Sequence, residues 1–117
     1  MARKRKQDRG GGTRATVTLE REGVPFTLHS YDLGHAPLEG SVGEAVAAQL
    51  GLAPEVVFKT LLAEVDGDPV CAVVPTAGTL SLKRLAAAAG GKRARMMEPA
   101  VAERISGYVT GGISPFG

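Results

Sequence analysis

In the pattern of apolar and polar positions the most strand-like run is Val56-Val57-Phe58-Lys59-Thr60-Leu61-Leu62-Ala63-Glu64-Val65, mostly apolar and rich in β-branched and aromatic residues, which predicts a strand. With a period of two, Lys59 shares a face with Val57, Leu61, Ala63 and Val65, the face expected to turn inward. Asp66-Gly67-Asp68-Pro69 is a turn signal and Val70 to Val74 the returning strand, so the pair reads as a hairpin. Cys71 falls in the middle of the return strand. With no histidine near it in sequence, it reads as a small core residue rather than a nucleophile. Upstream, Pro25 to Tyr31 alternates like a half-buried strand, with His29 as an exposed strand histidine.

Helical signals surround these strands. Thr13 can cap a helix over Arg14 to Glu22, stopped by Gly23 and weakened by the β-branched Thr16, Val17 and Thr18. Ser41-Val42-Gly43-Glu44 is a capping box, opening a helix that carries Val42, Ala45, Val46, Gln49 and Leu50 and stops at Gly51. Pro54 suits the first position of a helical turn. Ser81 is an N-cap for a stripe of Leu82, Leu85, Ala86 and Ala89, ending at Gly90-Gly91. Ala94 to Met97 predicts a short strand, and Pro99 opens a helix over Ala100 to Ile105 closed by Ser106-Gly107. Tyr108-Val109-Thr110 then reads as a short strand running into Gly111-Gly112-Ile113-Ser114-Pro115-Phe116-Gly117. This intermixing predicts an α/β domain of the α+β type.

Composition sharpens that picture. The chain has 117 residues, enough for one core. Aromatics are only 4% and tryptophan is absent, so the core must be built of Ala, Val and Leu. Net charge is +2, but Arg3, Lys4, Arg5, Lys6, Arg9 and Arg14 crowd the start. Residues 1–12 therefore read as a disordered basic tail ending in a glycine hinge, a solubilising extension or a phosphate-contacting arm, ahead of a domain over 13–117. One cysteine excludes an internal disulfide, and no apolar run approaches a membrane span, so a cytoplasmic protein with no membrane partner is expected.

Few residues carry candidate chemistry. An ammonium on an inward face is costly unless an anion or hydrogen-bonding group meets it, so Lys59 is either a strand-end lysine with a solvated head or a functional cation. Gly111, Gly112 and Gly117 allow close backbone approach and Pro115 stiffens the loop, a setting for an anion or carbonyl-oxygen site. No Ser-His-Asp set, metal constellation or Walker loop is present, and His35 has no partner at ligand spacing. No cofactor is expected.

Three segments together resemble the YbaK/EbsC family of aminoacyl-tRNA editing domains, related to the insertion domain of bacterial prolyl-tRNA synthetases. They are Val57 to Leu62, the Pro-Thr-Ala-Gly-x-Leu-Ser-Leu-Lys stretch from Pro75 to Lys83, and Gly107 to Gly117. The likeness runs from about Thr13 to Gly117 and is strongest to the free-standing Cys-tRNA(Pro) deacylases. It implies a single mixed, mostly antiparallel sheet wrapped by helices, here without the family's final strands, helix and pocket acid. It also implies that Lys59 is the functional lysine at the aminoacyl end of the tRNA. Gly111 is then the first glycine of the Gly-x-x-x-P loop that walls the substrate ester, with Gly112, Ser114 and Pro115 beside it. Tyr31 would line the pocket, and Val42 stands where Cys-specific members carry a phenylalanine, which changes the pocket's shape.

The expected function is deacylation of mischarged Cys-tRNA(Pro), with the substrate's own thiol attacking the ester. Intramolecular attack of this kind is worth about 7–11 kcal/mol in effective concentration. Ala-tRNA(Pro) deacylation by water, or an inactive module that binds tRNA or prolyl-tRNA synthetase, are the alternatives.

Overall fold

The structure, a computed structural model, describes residues 12–32, 42–109 and 112–117. Four helices and three strands follow one another as α1 (Arg14–Arg21), α2 (Val42–Leu50), a 3-10 turn (Pro54–Val56), β1 (Phe58–Val65), β2 (Asp68–Pro75), α3 (Leu82–Ala88), β3 (Ala94–Met96) and α4 (Pro99–Ser106). The strands form one sheet in the order β2-β1-β3, and both pairings are antiparallel. The α+β class expected from the sequence is therefore the observed one.

The hairpin is the frame. Val65 pairs with Asp68, leaving Asp66 and Gly67 as a two-residue loop. Both adopt positive φ, 51° and 89°, as a type I′ turn demands, and this turn matches the right-handed twist of the flanking strands. Register then sorts the side chains. Lys59, Leu61, Ala63 and Val65 share a face with Val70, Ala72 and Val74, and Ala63, Val65 and Ala72 are buried there. Ala47 of α2, Ala86 of α3, Met97 after β3 and Ala102 of α4 complete the core. Among the described residues no large side chain is fully buried. A core of alanines lets backbones approach closely but removes little apolar area per residue from water.

Caps set the helix ends much as the sequence implies. Thr13 Oγ1 accepts the amide of Thr16, and Ser81 Oγ that of Arg84, both at 3.2 Å. Pro99 stands in the first turn of α4, and Gly107 closes it in the left-handed region.

Three expectations are corrected. Pro25 to Tyr31 forms no strand: Phe26, Leu28 and Tyr31 are exposed, and strand propensity yields no ladder without a neighbour to pair with. Tyr108 and Val109 are likewise outside any strand, and Thr110 lies outside the described residues. Cys71 is exposed rather than core, because register puts it opposite Leu62 on the face away from Ala72, beside the exposed Val73 and Phe58. The basic tail up to Gly11, His35 and the Ser41 cap also lie outside the described residues.

Candidate functional site

Lys59 is the second residue of β1, opposite Val74, and is half-buried on the inward face. Thr76, only 3% exposed, pins this end of the hairpin. Its amide donates to the Val57 carbonyl at 2.7 Å and its hydroxyl to the Pro54 carbonyl at 2.9 Å. The end of β2, the 3-10 turn and the entry to β1 are thus locked around one buried threonine whose amide and hydroxyl both find partners. Among the described residues no carboxylate pairs with the Lys59 ammonium.

Tyr31 stands at the end of a segment that is neither helix nor strand, 49% exposed, followed by Asp32. The carboxamide of Gln49, in the last turn of α2, holds that end. Its Oε1 accepts the Asp32 amide at 3.0 Å, and its Nε2 donates to the Asp32 carbonyl. One side chain thereby offers the backbone what a neighbouring strand would offer. Val42 is the first residue of the same helix. α2 packs against the 3-10 turn, so Tyr31, α2 and the Lys59 end of β1 are joined through Gln49 and Thr76.

The closing loop is anchored elsewhere. Tyr108 Oη donates to the Phe116 carbonyl at 2.9 Å, and the Arg14 guanidinium lies 5.8 Å from the Tyr108 ring centroid. Ser114 Oγ accepts the Phe116 amide at 3.0 Å, turning the chain across the exposed Pro115. The Gly112 amide donates to the Val109 carbonyl at 2.9 Å, so in this arrangement it is engaged in the turn. Gly111 lies outside the described residues. No described hydrogen bond or ion pair ties this loop to Lys59.

Gln49, Thr76 and Arg14 were not singled out by the sequence pattern. Gln49 did leave a signal, as a polar residue in an otherwise apolar helical stripe. Thr76 lies within the Pro75 to Lys83 segment, where its role as a node is invisible without the pairing register.

A separate open cleft of about 350 Å³ lies at the turn end of the hairpin, lined by Glu64, Asp66, Gly67, Arg93, Ala94 and Arg95. Strand rise puts it about 20 Å from Lys59. Its charges are largely engaged: Arg95 pairs with Glu64 at 2.9 Å, and Asp66 holds backbone amides. Among the described residues no three His, Cys, Asp or Glu side chains gather to hold a metal ion, and no helix is long and apolar enough to cross a membrane.

Residues 37–117 match the family model described as "Aminoacyl-tRNA editing domain". The chain belongs to that family. The match spans Lys59, Thr76 and the 111–117 loop, while Tyr31 precedes it. Over its whole length the chain is 35% identical to a relative from Enterococcus faecalis (strain ATCC 700802 / V583) named "Putative Cys-tRNA(Pro)/Cys-tRNA(Cys) deacylase EbsC", covering 68% of that protein. The fold is shared with a solved structure described as "Crystal structure of hypothetical protein APE2540", at a TM-score of 0.72 and 22% identity. That alignment covers 88% of this chain and 65% of the other.

Proposed function

We propose that this editing-domain chain is a deacylase acting on aminoacyl-tRNA, and that its substrate is mischarged Cys-tRNA(Pro). The observation that carries the reading is Lys59: a cation half-buried at the entry of β1, without a described counter-ion. Such a group calls for an anion, and the 3′-terminal phosphates of a tRNA acceptor end supply one. Membership of the editing family and the deacylase name of the E. faecalis relative support the substrate class.

The chemistry is assigned to the substrate, since no described side chain is joined to Lys59 as a nucleophile. The cysteinyl thiol loses its proton and its sulfur attacks the ester carbonyl carbon. The C–O bond to the terminal ribose breaks, the ribose oxygen takes up a proton, and the amino acid leaves as a thiolactone that water later opens. Lys59 holds the acceptor end so that this attack is geometrically favoured. The Gly111 amide in the Gly-x-x-x-P loop is assigned to the developing oxyanion, with Ser114 and Pro115 shaping that wall and Tyr31 and Val42 the side-chain pocket. A donor of this kind contributes roughly 3–4 kcal/mol.

Val42 in place of a phenylalanine changes the pocket's shape, and the second candidate substrate is Ala-tRNA(Pro), for which water must attack. The deciding experiment measures deacylation of Cys-, Ala- and Ser-tRNA(Pro) by the native chain and Lys59→Ala. Preferential loss of the cysteinyl ester, reduced at least ~100-fold by Lys59→Ala, is the expected result. Turnover of the alanyl ester alone selects the second substrate, whereas tRNA binding without any turnover overturns the deacylase reading.

A further inference from the structure

Residues 25–31 carry no backbone–backbone hydrogen bond among the described residues. The segment is tethered at its start by the Val24 amide on the Leu19 carbonyl, 2.9 Å, and at its end by Gln49 on Asp32. Between these points the backbone forms neither helix nor strand, and Phe26, Leu28 and Tyr31 are exposed. The two Gln49 hydrogen bonds to Asp32 tie the Tyr31 end of the segment to α2. Gln49 is itself exposed, so its two hydrogen bonds compete with water and are kept by their paired geometry.

We infer that Gln49 is a positioning residue for amino-acid specificity: its carboxamide docks the Tyr31–Asp32 backbone on α2, seven residues along from Val42. This rests on the reading that Tyr31 and Val42 shape the side-chain pocket. Gln49 touches no substrate in this scheme. It acts by holding one wall of the pocket at a fixed distance from the other, and a wall held loosely admits side chains of different size more evenly. The carboxamide is suited to the task because it donates and accepts at once. A carboxylate accepts the Asp32 amide but faces the Asp32 carbonyl with no proton to give, and an aliphatic side chain does neither.

The test uses the whole chain with Gln49→Leu and Gln49→Glu. Hydrogen exchange of the Asp32 amide in ligand-free protein reads the clamp without reference to activity. Exchange about ten-fold faster in Gln49→Leu is expected, with Gln49→Glu between it and the native chain. Deacylation of Cys-tRNA(Pro) and Ala-tRNA(Pro) then reads specificity: the ratio of kcat/KM values should shift about five-fold or more toward unity in Gln49→Leu. Affinity for uncharged tRNA and the unfolding midpoint should change little, which separates positioning from general damage. Unchanged exchange overturns the inference, as does faster exchange with an unaltered ratio. Failure of the deacylase reading shows differently, as a native chain that turns over neither ester.

Discussion

Gly91 leaves no room for a side chain beside Asp66: a Cβ there would lie 2.8 Å from Asp66 Oδ2 and collide with the Val65 side chain. The Asp66 carboxylate instead accepts the amides of Lys92 and Arg93, both at 3.0 Å, while its own amide donates to the Arg93 carbonyl at 2.9 Å. The turn of the hairpin and the entry to β3 are tied by this one residue.

Asp66→Ala should therefore destabilise the fold by about 2 kcal/mol, the loss of two hydrogen bonds to a charged acceptor at an exposed site. Gly91→Ala should cost at least as much, by pushing on the buried Val65 side chain and displacing the same carboxylate. Because the Asp66 carboxylate is displaced in one variant and absent in the other, the double variant should lose less than the two single losses added together, the collision with Val65 being the part that remains. Urea unfolding of the four proteins measures this, and strict additivity would show that the two sites are not coupled.

Cys71, on the open face of β2, should react promptly with a thiol reagent in the native protein. Cys71→Ala should keep the stability within about 0.5 kcal/mol and most of the deacylation rate. A thiol reached only after denaturation contradicts the register, and loss of turnover moves the chemistry onto the protein's own sulfur.

That thiol shows where the sequence was legible and where it was not. The hairpin, its turn and the inward face through Lys59 followed from strand-forming residue types, a period of two and the Asp-Gly pair. The side of β2 on which Cys71 lies did not, because every residue from Val70 to Val74 is apolar and such a run has no visible phase. Pro25 to Tyr31 failed for the opposite reason: its phase is clear but the described fold offers it no partner strand, and a side chain, Gln49, bonds the backbone at its end. The starts of α1 and α3 at Thr13 and Ser81 and the end of α4 at Gly107 were legible because caps are local chemistry. The nodes at Thr76 and Asp66 were not, since they join residues 22 and 26 or more positions apart.

If the substrate thiol is the nucleophile, Cys-tRNA(Pro) should react far faster than Ser-tRNA(Pro), because a hydroxyl is the poorer internal attacker at neutral pH. The first product should be a thiolactone. Early-time mass analysis in isotopically labelled water decides the matter: prompt single-step label incorporation into cysteine would mean that water attacks the ester directly.

The amino-terminal stretch holds five Lys and Arg before Gly10, enough to contact several phosphates without reading bases. Deleting residues 1–12 should flatten the dependence of tRNA affinity on salt and leave turnover at saturation nearly unchanged. An unaltered slope in a salt titration assigns the stretch to solubility alone.

The bonds from Thr76 to Val57 and Pro54 determine how Lys59 can move. With the strand entry stitched on both sides, the backbone under Lys59 cannot swing independently of the hairpin. Only its four-carbon stem is free, so the ammonium sweeps a small cap of space about a stationary root. If Lys59 receives the acceptor end as proposed, the substrate must come to that root, as to a mooring post, and the reach of one lysine side chain becomes the ruler that measures how deep it can enter.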